Sequence, residues 1–386
     1  VEPADGAEAG GFKICEPRTG LGAGADAPQV TGFSRKGRAS AGARLPAGEP
    51  RHAPKDKHVY AALDLGTNNC RLLIAKAPPP GAGQDGFRVI DSFSRIVRLG
   101  EGLSRTGELG AAAIERTLRA LEICRDKMQA RGVTRSRLIA TEACRSARNS
   151  AEFLSLVRET TGLELEIVDR ETEARLAATG SASLVDHAAD SAVLFDIGGG
   201  SSELVWLARS SHGFAPPGHA GIDQRIRFWA SLKLGVVTLA EEFGGIEVST
   251  ATFEAMVDYV VPKLGSFVAM AGRERRGRHF HLLGTSGTVT TIAGVFLGLP
   301  RYDRRRVDGL WMSRHQVDYA IASLRKMSYA ERAANGCIGQ TRADLVLAGC
   351  AILEAIRRAF PADRVRIADR GLRDGILIQL MNADRN

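Results

Sequence analysis

The chain has 386 residues, 44% of them hydrophobic, and its 52 Lys and Arg outnumber 44 Asp and Glu to give a net charge of +8. That length suits two or three soluble domains, and no apolar run approaches the roughly 20 residues that a bilayer-spanning helix needs. The basic balance suits a polyanionic ligand, but no helix-turn-helix, RNA-recognition or zinc-finger signature is present, so neither a membrane nor a specific nucleic acid is expected as a partner. Six cysteines (Cys15, Cys70, Cys124, Cys144, Cys337, Cys350) form no C-x-x-C pair. This spacing fits free thiols in a reducing cytoplasm better than a disulfide framework or a zinc site.

Residues 1–57 are rich in Gly, Ala, Pro and Arg and lack hydrophobic periodicity, so a disordered tail is expected there. From Val59, strand, turn and strand lead to a Pro-Pro-Pro-Gly turn at 78–81 and another strand near Phe87–Phe93. Ile114, Leu118, Leu121, Cys124 and Met128 recur at helical spacing over 111–131, and Gly132 stops that helix. A short strand at 137–141 follows, then a helix whose Asn149 and Glu152 suggest a capping box. Leu163–Val168 alternates as a strand, and 171–183 returns to helix. Beyond a hairpin at 192–207, 210–221 reads as a loop, 228–238 as strand and turn, and 252–271 as one helix before a basic turn at 273–278. Strand, small-residue turn and helix occupy 280–293. The last third is mainly helical up to a strand at 364–369 and a closing helix. Strands alternating with helices indicate an α/β fold.

Two stretches share one design. Tyr60-Ala-Ala-Leu-Asp-Leu-Gly-Thr-Asn-Asn-Cys-Arg-Leu-Leu-Ile-Ala75 aligns without a gap on Ala192-Val-Leu-Phe-Asp-Ile-Gly-Gly-Gly-Ser-Ser-Glu-Leu-Val-Trp-Leu207. Asp64 falls on Asp196, Gly66 on Gly198, Asn69 on Ser201 and Arg71 on Glu203. Each copy reads as a strand, a tight turn and a returning strand. A lone Asp-x-Gly hairpin is common, but a matched pair at domain spacing points to two similar halves facing each other across a cleft. Gly198, Gly199 and Gly200 let backbone amides approach an anion, and Asp196 and Glu203 flank them as carboxylates suited to Mg²⁺. Ser286-Gly287-Thr288, between strand and helix, offers first-turn amides to a phosphate or simply permits close packing. Arg145 and Lys233 follow predicted strands, where loops open into a cleft. Glu171 and Glu173 sit at a strand-to-helix junction, and either suits a helix's first turn; Glu173 is the candidate base for activating water.

In this order, Asp64-Leu-Gly-Thr-Asn-Asn69, Glu171-Thr-Glu-Ala-Arg-Leu176, Asp196-Ile-Gly-Gly-Gly-Ser-Ser-Glu203, Gly284-Thr-Ser-Gly-Thr288 and Asp369-Arg-Gly-Leu-Arg-Asp-Gly375 resemble the motifs of the exopolyphosphatase/guanosine pentaphosphate phosphatase family, within the actin-like, sugar-kinase and Hsp70 superfamily. The resemblance runs from about Val59 to Leu380. It implies two ribonuclease-H-like domains, 58–180 and 181–386, flanking a cleft, with the last helix able to pack back on the first domain. It also implies Mg²⁺-dependent release of terminal phosphate from polyphosphate or guanosine pentaphosphate in the cytoplasm, with guanosine tetraphosphate as a further ligand and a homodimer as a further partner. Glu173 is then the catalytic base, with Asp196 and Glu203 near metal and attacking water. Asp64, Gly66, Thr67, Asn68, Arg145, the Gly198–Ser201 turn, Lys233, and Ser286, Gly287 and Thr288 become phosphate contacts.

Three departures from the family pattern stand out. Thr172 replaces the first of two acidic residues before Ala-Arg, Leu232 and Lys233 stand where an arginine pair is common, and the C-terminal HD-type domain of longer members is not expected, since the sequence read stops at Asn386. Those at Thr172 and Leu232 leave open a polyphosphate or (p)ppGpp sensor with negligible turnover; a small-molecule kinase of the same superfamily is a further reading, because related folds use the same hairpins for ATP.

Overall fold

The computed structural model describes residues 58–78, 86–209, 221–274 and 279–384. The expected tail, most of the proline turn, the loop from residue 210 and the centre of the basic turn therefore lie outside the described residues.

Two sheets carry the fold. The first contains β1 (Val59–Leu65), β2 (Asn69–Lys76), β3 (Arg88–Ile96), β4 (Arg135–Ala140) and β5 (Glu166–Ile167), in the order β3-β2-β1-β4-β5. The second contains β6 (Ser191–Ile197), β7 (Ser202–Ala208), β8 (Ile226–Leu232), β9 (Phe280–Thr285), β10 (Trp311–Ser313) and β11 (Arg364–Ala368), in the order β10-β11-β9-β6-β7-β8. In each sheet a central strand pairs antiparallel with the next strand and parallel with a later one. The repeated sequence is thus a repeated topology, β8-β7-β6-β9-β11 matching β3-β2-β1-β4-β5.

Both central strands read as unbroken apolar runs because both of their faces are covered. Ala61, Leu63 and Leu65 enter one core while Tyr60 and Ala62 enter another on the opposite face. Along β6, Val193, Phe195 and Ile197 alternate in the same way with Ala192 and Leu194. Fully burying a side chain such as Phe195 contributes roughly 1.5–3 kcal/mol, which fixes strand register and so the position of the turn beyond each strand.

Helices Ala111–Ala130 and Ser150–Thr161 cover one face of the first sheet. On its other face lie helix Arg170–Ser181 and the last helix, Leu372–Ala383. Arg170–Ser181 is shared: Leu176 packs on the first sheet, while Ala174, Ala177 and Ala178 pack on the second. The two helices cross where their backbones nearly touch. A Cβ at Gly180 would run into the carbonyl of Gly371, and one at Gly375 into the carbonyl of Leu176. Only glycine permits that approach. The Ser181 hydroxyl donates to the Arg370 carbonyl at 3.1 Å, tying the crossing to the end of β11.

Local differences from the sequence reading have physical causes. The helix expected over 252–271 is two, Thr250–Val260 and Gly265–Arg273, joined by a 3₁₀ turn at Val261–Leu264 that contains Pro262; proline cannot donate the next helical hydrogen bond. Asn149 precedes its helix without capping it. Its amide exchanges two hydrogen bonds with the backbone of Leu109 instead, at 2.9 and 3.1 Å. The strand expected over 163–168 shortens to β5. The five described cysteines are free and buried.

Candidate active site

The duplicated turns end up face to face. In the first, the Gly66 amide donates to the Asn69 carbonyl at 2.9 Å; in the second, the Gly198 amide donates to the Ser201 carbonyl at the same distance. The amides of Val236 and Val237 donate to the carbonyls of Gly198 and Gly199, which fixes the glycine turn from behind. In front it abuts the other hairpin: a Cβ on Gly200 would stand 2.6 Å from the Thr67 hydroxyl. Side chains at 199 and 200 would force the halves apart, so the run of three glycines is a packing requirement as well as an anion cradle.

One cavity opens between these turns at the C-terminal ends of β1, β6, β9 and β11, the position where open α/β sheets bind ligands. Its wall includes Asp64, Gly66, Thr67, Asn68, Glu173, Asp196, the Gly198–Ser201 turn, Glu203, Ser286, Gly287 and Thr288. All of these were expected from the sequence. Ser286 holds φ of 96°, rare for a residue with a side chain, and its hydroxyl accepts from the Thr288 amide. Such local strain is common where a backbone is shaped for a ligand.

Glu173 owes its place to a cap. The Asp169 carboxylate accepts from the Thr172 amide at 2.7 Å, starting the crossing helix so that Glu173 falls in its first turn. Burial pushes the Glu173 carboxyl up to about 7 against the pull of Arg145. Burial likewise raises Asp196 to about 6, and raises Glu203, which Glu173 and Asp196 push further. Asp64 is raised by burial, with Arg71 and Arg373 opposing. Asp196 and Glu203 are directly opposed across β6 and β7, and Glu203 accepts from the Ser231 hydroxyl at 3.0 Å.

Two expected phosphate contacts are placed elsewhere. Lys233 is exposed just after β8 and does not line the cavity. Arg145 stands behind Glu173, its Nη2 donating to Glu173 Oε2 at 2.7 Å, and is also outside the cavity wall. Both were read from strand-end position, which does not fix which way a long side chain turns.

Four arginines line the cavity, and Arg370 is committed to Asp308 and the Ser183 hydroxyl, which leaves three, Arg71, Arg342 and Arg373. Among the described residues none of the three makes a hydrogen bond or ion pair. Burial lowers the pKa of Arg342 and Arg373, and neighbouring Arg71 lowers both further. Three mutually repelling, unpaired guanidiniums beside bare turns make an anion site. Arg71 and Arg373 lie within the motifs but carried no role in the sequence reading. Arg342 lies outside every turn motif and left no signal.

Oxygen donors for a hard cation are also present. Asp196 and Glu203 line the same cavity as Asn68 and Asn69, whose side-chain oxygens are buried without a hydrogen-bond partner among the described residues. Among the described residues no three carboxylate, histidine or cysteine side chains converge as a complete metal site. Two carboxylates beside amide oxygens are a donor set of the kind that suits Mg²⁺, which is usually held by one or two carboxylates together with substrate phosphates and waters.

Comparison with known proteins shows the family. Residues 81–384 match the model of the Ppx/GppA phosphatase family. Exopolyphosphatase 2 of Mycobacterium tuberculosis is 26% identical over 83% of this chain and 98% of its own length. The guanosine-5'-triphosphate,3'-diphosphate pyrophosphatase of Aeromonas salmonicida is 28% identical over 84% of this chain, which spans 59% of that longer relative. Among solved structures, the Aquifex aeolicus Ppx/GppA protein superposes with a TM-score of 0.67 at 25% identity, covering 85% of this chain and 99% of the other. An exopolyphosphatase from Cytophaga hutchinsonii gives 0.73 at 20% identity, covering 84% and 98%, a likeness of fold. The two lobes are the two-domain actin-like fold, and the chain belongs to the Ppx/GppA phosphatase family.

Proposed function

We propose that the chain releases terminal phosphate from a phosphoanhydride chain, inorganic polyphosphate or guanosine pentaphosphate, by attack of a water that Glu173 activates. The observation that carries this is one cavity lined by four buried carboxylates, Asp64, Glu173, Asp196 and Glu203, and by three arginines that have no hydrogen-bond or ion-pair partner among the described residues. Arg71, Arg342 and Arg373 bind phosphoryl oxygens, and the amides of the two hairpin turns and the Ser286–Thr288 turn add neutral donors. Glu173 presents Oε1 with no protein partner among the described residues, while Arg145 holds Oε2. A carboxyl poised near neutrality can take the water's proton and return it. Asp196 and Glu203 would hold Mg²⁺. When bound, the ion supplies positive charge to the phosphate oxygens during transfer.

The departures at Thr172 and Leu232, which favour the sensor reading, do not reach the cavity. Thr172 is not part of its wall, and Leu232 is buried in the second lobe's core. The groups needed for turnover remain, which supports hydrolysis over binding alone. Phosphate release from long polyphosphate, short polyphosphate and guanosine pentaphosphate, with and without Mg²⁺, tests the proposal. Tight binding of these ligands with no release under any condition would replace it with the sensor; phosphate passed from ATP to an acceptor would favour the kinase.

A further inference from the structure

Behind the cavity wall lies an ionic box that the proposed chemistry does not yet use. Glu142 opens the five-residue helix Glu142–Ser146 after β4, and its side chain is 8% exposed. Its Oε2 accepts from Arg145 Nε at 3.2 Å and Nη2 at 3.0 Å, and from Arg170 Nη2 at 3.0 Å. Its Oε1 accepts from Arg170 Nη2 at 3.0 Å and from the Ser146 hydroxyl at 2.8 Å. Arg145 Nη1 donates to the Val168 carbonyl at 2.7 Å, and Nη2 also reaches Glu173 Oε2. Every nitrogen of Arg145 is therefore engaged by protein.

An arginine facing a single carboxylate tends to grip both of its oxygens in a fork. Here Glu142 occupies the Nε–Nη2 edge of Arg145 and the Val168 carbonyl takes Nη1, so Glu173 is held through Nη2 alone. We propose that Glu142 is a positioning residue for the reaction: by occupying that edge of Arg145 it restricts Glu173 to one held oxygen and keeps Oε1 available to the attacking water. Arg170 balances the added negative charge. The box then holds two carboxylates and two guanidiniums, and it is braced against the second lobe, where a Cβ on Gly200 would stand 3.3 Å from Glu142 Cγ. This role rests on Glu173 acting as the base.

E142Q alone strands an extra buried cation, and such a variant can fail to fold for that reason. The double variant E142Q/R170Q removes one charge of each sign and leaves Arg145 to Glu173 alone. Steady-state phosphate release from short polyphosphate with Mg²⁺, alongside thermal melts, is measured for the double variant, for E142D and for E173Q. The expected result is a kcat lowered roughly 10- to 100-fold in the double variant, as for a displaced reacting group, with KM and Tm close to wild type. E142D, which keeps the charge, recovers most of the turnover. Wild-type kcat in the double variant beside an inactive E173Q overturns the positioning role and leaves the base intact. Parallel losses of kcat, substrate affinity and Tm also overturn it, making the box a structural brace. Wild-type turnover in E173Q overturns the base assignment and this role with it.

Discussion

Replacing Glu173 by glutamine should move activity and stability in opposite directions. A carboxyl held at about 7 rather than the ordinary 4.5 costs the folded chain about 3 kcal/mol at neutral pH. Glutamine keeps the shape and can still accept from Arg145 through its amide oxygen, but it carries no charge to desolvate. The sign follows from proton binding. Below pH 4.5 both folded and unfolded Glu173 are protonated and the variant gains nothing; between 4.5 and 7 the folded state holds the proton longer; above 7 the full advantage of glutamine appears. At 2–4 °C per kcal/mol or somewhat less for a chain this long, melting at pH 8 should rise by roughly 5 °C. Loss of a general base should cut kcat by about 10²–10⁴, or roughly 3–5 kcal/mol in barrier. The assay pairs melts at pH 5 and pH 8 with single-turnover phosphate release. A lower Tm together with lost activity would make Glu173 a structural buttress, and unchanged turnover would remove it from the chemistry.

Three further outcomes follow from the same geometry. Arg71→Gln or Arg342→Gln should raise KM for polyphosphate about 10- to 100-fold, since a charge-assisted hydrogen bond contributes about 1.5–3 kcal/mol, and should weaken the salt dependence of KM; unchanged kinetics across ionic strengths would exclude these arginines as phosphate contacts. Without divalent metal the chain should melt higher at pH 6 than at pH 8, because Glu173 and Asp196 hold protons in the folded state up to about 7 and 6. Adding Mg²⁺ should then raise the melting temperature more at pH 8, and a Mg²⁺ response independent of pH would count against carboxylate ligation. Gly180→Ala should destabilise by at least about 1–3 kcal/mol, as overpacking does, because its methyl meets the Gly371 carbonyl rather than a yielding side chain; an unchanged melting curve would show that the helices separate freely.

What could be read in the sequence was what the backbone dictates locally. The constant offset between Asp64 and Asp196 announced two like halves, and the glycine run announced a turn that must approach something closely. Glu173 was legible because a cap and a helix start fix where the first turn points. Side chains long enough to choose between directions were not legible. Arg145 and Lys233 share a strand-end position, yet one turns inward to two carboxylates and the other outward to solvent. Arg342 comes from a run of turns after Gly339 that matches none of the repeated motifs, and it reaches the cavity through the packing of the second lobe. Glu142 was hidden for a related reason: its partners lie 3 and 28 residues away, and neither spacing marks an ionic box. Asn149 shows local preference overridden, since its amide found the Leu109 backbone instead of its own helix.

The helix Leu372–Ala383 makes the two halves depend on one another. Its Leu372, Ile376, Leu377 and Met381 cover Tyr60, Ala62, Leu73 and Ala75 of the opening sheet, beside Leu176 of the crossing helix. During synthesis that side of the sheet therefore stays partly uncovered until residues 372–383 have been made. A fragment cut between the halves would lose this cover and expose an apolar patch of the kind that favours aggregation.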